Sequence, residues 1–211
     1  MPQVQRIRCG NVNCYLITEG EAGILVDTGR EACRQRVLAA CRAYRMRLLV
    51  LTHGHVDHIQ NAAFLSERLQ IPIAMSPLDV ELIGSNLCRP LSAAGLPGKI
   101  LLAASLQSFR RDPIAPFTPA VLLKDGDTLE EYGISAVIRQ LPGHTRGSLG
   151  IDVGGKSLLV GDALMHMLYP SLSLIYEDKE AMLRSAEKIS ALGEREIYFG
   201  HGGSVRNRHW I

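Results

Sequence analysis

The segment THGHVDH places His53, His55, Asp57 and His58 within six residues. Imidazole nitrogens and carboxylate oxygens at this density can hold cations or move protons, and the chain has only seven histidines in 211 residues. Four more polar residues stand just past apolar runs and beside glycine. ILVDTG contains Asp27, QLPGHTRGS leads to His144, LLVGD ends on Asp162 and IYFGH ends on His201. Taken alone, the three motif histidines fit a polar surface turn, Asp57 a helix N-cap, and His144, Asp162 and His201 ordinary turns. Their shared position past strand ends, where rigid scaffolds hold chemistry, predicts instead that they converge on one site.

Histidine and carboxylate without thiolate suit zinc, and also iron or manganese. Five histidines (His53, His55, His58, His144, His201) and two aspartates (Asp57, Asp162) exceed the needs of one tetrahedral ion. They suit two ions that share a carboxylate. The i, i+2 relation of His53 and His55 lets both rings point the same way from an extended segment. Asp57 and His58 then lie at a helix start, turned toward a second position. This is not the i, i+4 pair of a helical zinc protease.

These residues need strands that end together. VQRIR, NCYLITE and AGILVDTG read as three strands, REACRQRVLAACRAY as an amphipathic helix, and RLLVL as a buried strand running into His53. HIQNAAFLSERL reads as one helix with Asp57 at its N-cap, and IPIAMS as a short strand. Residues 77–119 are rich in Leu, Ala, Ser and Pro and predict a helical insertion with loops, a lid or substrate wall. Strands resume in VLLKDGDTLEEYGISAVIRQL, and SLGIDV and KSLLVGD form a hairpin. DKEAMLRSAEKISAL is an amphipathic helix closed by Gly193, and EIYFGH is the last strand. Two β-rich halves, each followed by helix, imply layered α/β, one domain over 1–211 without repeats or linkers.

Composition narrows the function classes. A net charge of +2 gives no electrostatic case for a nucleic-acid partner. Five cysteines, an odd number with no Cys-x-x-Cys spacing, argue against a disulfide framework and a thiolate zinc site, so buried free thiols are expected. The N-terminus MPQVQRIRCGNVNCYLI has no leader pattern and no apolar run reaches membrane-spanning length, so a cytoplasmic protein off the membrane is expected.

The set of motifs resembles the metallo-β-lactamase fold superfamily. THGHVDH matches its His-x-His-x-Asp-His motif, and Asp27, PGHTRGS, VGD and GHG match its other motifs in order over nearly the whole chain. The resemblance implies a four-layer αβ/βα sandwich. It implies one metal on His53, His55 and His144, and a second on Asp57, His58 and His201, with Asp162 bridging. Asp27 would support the site from behind the ligands. The glyoxalase-II-like branch shares these ligands. Little chain follows His201, however, which leaves no room for that branch's C-terminal glutathione-binding domain and makes a glutathione thioester doubtful. The flavodiiron branch puts a carboxylate where His55 stands and adds a flavin domain, so it does not fit.

Two zinc ions, or iron or manganese, ~3.5–4 Å apart would hold a bridging water and lower its pKa toward ~7. The resulting hydroxide would cleave an ester, thioester, lactone or similar small substrate. Asp57 and Asp162 are the expected catalytic residues, Asp57 relaying the proton. His166 and Tyr169 are candidate pocket residues, Tyr169 for a substrate oxyanion, although a satisfied surface or core histidine and plain packing are the favoured readings of the two. The competing functions are a mononuclear-iron persulfide dioxygenase, a phosphodiesterase or nuclease of the same fold, and a structural metal protein. The last is disfavoured because structural zinc sites are closed and cysteine-rich. The nuclease is disfavoured because 77–119 is mostly apolar.

Overall fold

RLLVL carries apolar side chains on both faces of a strand, which are buried only if both faces of its sheet are covered. The computed structural model, which describes residues 1–211, meets this with two sheets packed face to face between helical layers. The first sheet runs β1 (Gln3–Cys9), β2 (Val12–Glu19), β3 (Ala22–Val26), β4 (Arg45–Val50) and β5 (Ile73–Met75). After the short β6 (Ser92–Ala93), β7 (Val121–Leu122) closes its edge. β3, β4, β5 and β7 are parallel. The second sheet contains β8 (Ala136–Gln140), β9 (Leu149–Val153) and β10 (Ser157–Gly161). Beyond it β11 (Leu164–His166) pairs with β12 (Pro170–Leu172), and β13 (Ile175–Tyr176) pairs with β6. β14 (Glu196–Phe199) and β15 (Val205–Arg206) return to the second sheet, whose order is β15-β14-β10-β9-β8.

Period-two alternation sorts the strand residues into layers. Leu49 and Leu51 join an outer core of 18 buried residues with Val37, Leu38 and Cys41 of α1 (Arg34–Cys41) and Leu65 of α3 (Ala62–Leu69). Leu48 and Val50 enter a 16-residue core between the sheets, with Leu149 and Ile151 of β9. A third core of 10 residues packs Leu158, Val160 and Phe199 against Ala186 and Ile189 of α5 (Lys179–Ala191). This is the αβ/βα sandwich. The parallel pairs β3–β4 and β10–β14 bring their C-terminal ends to one edge of it, and Asp27, His53, Asp162 and His201 follow those ends.

The single helix expected after the histidines is broken. α2 (Val56–Ile59) ends after one turn, and α3 begins at Ala62. Thr28 takes the His58 carbonyl with both its N–H (2.8 Å) and its hydroxyl (2.7 Å), displacing the next helical hydrogen bond. Asn61 Nδ2 meanwhile donates to the carbonyls of Thr28, Gly29 and Arg30. Asp57 is not the N-cap either. His55, with extended backbone, precedes α2, and Asp57 lies inside its first turn. The insertion holds a 3-10 helix over Pro77–Ile83, β6 and the 17-residue α4 (Gly95–Arg111). Cys9, Cys14, Cys33 and Cys41 are buried, but Cys88, in the turn region before β6, is exposed. No helix is long and apolar enough to cross a membrane.

Gly143, just before His144, has φ 136 and lies against α5, where a Cβ would overlap the Met182 backbone. Gly143→Ala is therefore expected to lower the unfolding free energy by at least ~2 kcal/mol, because backbone must move to admit it. Gly126→Ala, at φ 86 with no atom within 4 Å of the added carbon, should cost only about 1 kcal/mol. Urea denaturation of the two variants gives the difference directly.

Candidate metal centre

Asp27 follows β3 with φ 58, a left-handed backbone that aspartate tolerates better than most residues. Its carboxylate crosses the end of β4. Oδ1 accepts the Thr52 N–H, and Oδ2 accepts both the Thr52 hydroxyl and His58 Nδ1, each at 2.8 Å. With its proton committed to Asp27, the Thr52 hydroxyl accepts from His53 Nδ1 at 3.1 Å. His144 Nδ1 donates to the Ile175 carbonyl at 2.7 Å, and His201 Nδ1 to the Asn11 carbonyl at 2.6 Å. An imidazole that donates from one nitrogen keeps a lone pair on the other, which is how a ligating histidine is oriented.

Those free atoms face one another. Ligand atoms of His53, His55 and His144 lie within 4.8 Å of one another, as do those of His53, His58 and Asp162, and those of Asp57, His58 and His201. Asp162 stands between the groups. Its Oδ1 is 3.6 Å from His58 Nε2, and its Oδ2 is 3.3 Å from His201 Nε2 and 3.8 Å from His144 Nε2. His55 Nδ1 and His144 Nε2 are 2.9 Å apart. His53 Nε2, His58 Nε2 and Asp162 Oδ1 are buried without a hydrogen-bond partner. Each such atom costs ~1–3 kcal/mol, and more when charged, and a cation among them would remove that cost. Five imidazoles and two carboxylates without thiolate fit zinc, iron or manganese.

Burial pushes His53 and His55 well below the ordinary histidine range and His144 below it, keeping these rings neutral as a metal ligand must be. At His58 burial opposes charge, but Asp27, Asp162 and Asp57 outweigh it and raise the pKa to about 10, so in the metal-free chain this ring holds a proton that a cation would have to displace. At His201 Asp162 likewise outweighs burial, and the pKa rises to about 9. Facing imidazoles hold Asp57 below the usual carboxylate range and Asp162 well below it, against the effect of burial.

The structure thus brings together His53, His55, Asp57, His58, His144, Asp162 and His201, with Asp27 behind them. Neither candidate pocket residue, His166 or Tyr169, is on the cavity lining. Met165 of β11 and Met167 just past its end line the cavity, and His166 between them turns away, where its Nδ1 donates to the Gly203 carbonyl at 2.7 Å. Tyr169, at the turn before β12, is 68% exposed and does not line the cavity. The cavity before the donors has a volume of about 110 Å³. Leu101, Ala104, Ser105 and Phe109 of α4 form one wall, so the insertion lines the cavity, and the Phe109 ring lies 4.9 Å from that of His55. Arg30 also lines it, with Nη1 bonded to Asp112 at 2.6 Å and to Ser108 at 2.8 Å. Asn61 and Arg30 carry no motif signal, because their partners lie far along the chain.

The sequence model described as the metallo-beta-lactamase superfamily matches residues 7–201. A hydroxyacylglutathione hydrolase, GloC, of Haemophilus influenzae is 31% identical over 195 residues, 90% of this chain and 85% of that protein. The solved structure of the BLEG-1 B3 metallo-beta-lactamase superposes with a TM-score of 0.76 at 21% identity, over 97% of this chain and 94% of that one. The di-iron-bound form of TTHA1623 superposes at 0.69 with 25% identity, over 99% and 100%.

Asp27→Ala would strip the acceptor from three buried donors at once. An unfolding free energy lower by ~3 kcal/mol or more is expected in chemical denaturation. A loss under about 1 kcal/mol would mean that Asp27 does not brace these groups.

Proposed function

The chain belongs to the metallo-β-lactamase superfamily and is a metal-dependent hydrolase, and on that premise we propose a dinuclear centre that cleaves a small ester, thioester or lactone. His53, His55 and His144 would hold one cation and Asp57, His58 and His201 the other, with the Asp162 carboxylate facing both groups. The observation that carries this reading is the set of orphaned buried atoms, His53 Nε2, His58 Nε2 and Asp162 Oδ1, of which the two imidazoles are fixed from behind by Thr52 and Asp27. Zinc suits the donors, and iron or manganese can take its place. The di-iron form of TTHA1623 supports an iron pair in this fold.

When bound, such a pair supplies an acidified water and a Lewis acid for the scissile carbonyl. The protein's part is to orient and to exclude. Asp57 lines the cavity with Oδ2 3.5 Å from His201 Nε2, within reach of a substrate and placed to take or pass a proton. Phe109 covers the His55 ring and keeps bulk water from it. Leu101, Ala104 and Phe109 of α4 with Met165, Met167 and Ile175 make up most of the apolar half of the lining, which suits a small acyl group. Arg30 is the only arginine or lysine on the lining, and Asp112 already engages it, so beyond the cations the wall itself adds little positive charge for a phosphodiester. The name of the Haemophilus relative, of which this chain covers 85%, favours a thioester among the three substrate classes and weakens the objection to a glutathione thioester raised from the sequence.

Elemental analysis of the purified protein, paired with assays on thioester, lactone and phosphodiester substrates, tests the reading. Two transition-metal equivalents and hydrolysis of a carbonyl substrate are expected. Asp162→Ala should lower kcat/KM roughly 100-fold or more, the equivalent of a few kcal/mol of transition-state stabilisation, and release metal. One iron with oxygen consumption, or full activity of the variant with both metals retained, would overturn it.

A further inference from the structure

Behind the three-histidine side of the centre lies a buried carboxylate that the ligand set does not include. Asp79, in the 3-10 helix Pro77–Ile83, is wholly buried and accepts four hydrogen bonds, two on each oxygen. Oδ2 takes the N–H of Gly54, between His53 and His55, at 3.1 Å, and the hydroxyl of Thr145, next to His144, at 2.7 Å. Oδ1 takes the N–H of Gly147 at 3.0 Å and Arg89 Nη2 at 2.8 Å. The two ligand loops lie some ninety positions apart in sequence, and one side chain joins them.

The fit is close on both loops. A Cβ at Gly147 would stand 2.6 Å from Asp79 Cγ, and one at Gly54 would stand 2.6 Å from Leu82 Cβ in the same 3-10 helix. Arg89, itself buried, balances the charge and carries the clamp onward to Glu177 at 3.1 Å. The backbone N–H of Glu177 donates to the carbonyls of Gly143 and His144. Asp79 makes no hydrogen bond to Asp57, His58, Asp162 or His201. His58 rests on Asp27 and His201 on Asn11.

We propose that Asp79 is a positioning residue that holds the His53–His55 loop and the His144 loop as one unit. It thereby sets the affinity of the cation lying with those three histidines, independently of the other. This rests on the two-cation reading above. Partners that orient metal ligands typically govern affinity by ~10–100-fold, and here a single carboxylate governs two ligand loops.

The test titrates metal-free protein with zinc(II) against a chromophoric chelator, resolving two stepwise dissociation constants. In Asp79→Asn, which keeps the size but turns one acceptor into a donor, one constant should weaken ~10–100-fold while the other stays within about twofold. In a His201→Ala background, which spares the three-histidine set, the tighter remaining zinc should be the one that weakens. If Asp79→Asn does not fold, Thr145→Val removes one donor from the same clamp and should weaken the same constant about 2- to 10-fold. Two unchanged constants in folded variant, or two that fall together, would overturn the inference. Wild-type protein that takes up fewer than two zinc ions would overturn the two-cation reading first, and this one with it.

Discussion

Seven donor groups, six of them buried, turn toward a common volume, and three of their atoms have no partner of their own. That arrangement is unfavourable in any low-dielectric interior, and the rest of the molecule is built to hold it. Three separate cores surround the site, each a product of strand alternation or of an amphipathic helix. Large side chains contribute roughly 1.5–3 kcal/mol apiece when fully buried, so a few such residues offset several unsatisfied polar atoms. The donors are therefore fixed in advance and do not have to assemble around an ion.

Fixation works from the outside inward. His53, His58, His144 and His201 each donate from one ring nitrogen to a carboxylate, a hydroxyl or a backbone carbonyl. Two of those acceptors are main-chain oxygens from segments far along the chain, Asn11 and Ile175. Sheet pairing positions them. Tyr15 and Asn13 of β2 reach the Phe199 carbonyl at the end of β14 and so bind one sheet to the other beside His201. The chemistry of the site and the packing of the sandwich are in this sense a single problem.

Much of this was legible in the sequence. Apolar runs ending in a polar residue and glycine marked the strand ends, and the spacing in THGHVDH separated it from a helical zinc site. What was not legible depended on partners distant in sequence. HIQNAAFLSERL has an unbroken helical pattern, and only Thr28, thirty positions earlier, cuts it at His58. His166 and Tyr169 lie near Asp162 in sequence, but a short ribbon after β10 turns one to Gly203 and the other to solvent. Asp79 reads as an unremarkable acid in SPLDV, since nothing local reveals its burial or its four donors.

The α4 wall is seated at its start on the segment just before β13. Ala94 N–H donates to the Leu174 carbonyl at 2.9 Å, and Gly98 lies so close that a methyl group there would stand 2.6 Å from the same oxygen. The next residue, Ile175, supplies the carbonyl that orients His144. Reshaping the cavity by exchanging side chains farther along α4 leaves that hinge-pin untouched, whereas a bulkier residue at 98 would tilt an imidazole along with the wall. The selectivity of such an enzyme can thus drift freely in the body of the helix, but its first turn is yoked to the reaction itself.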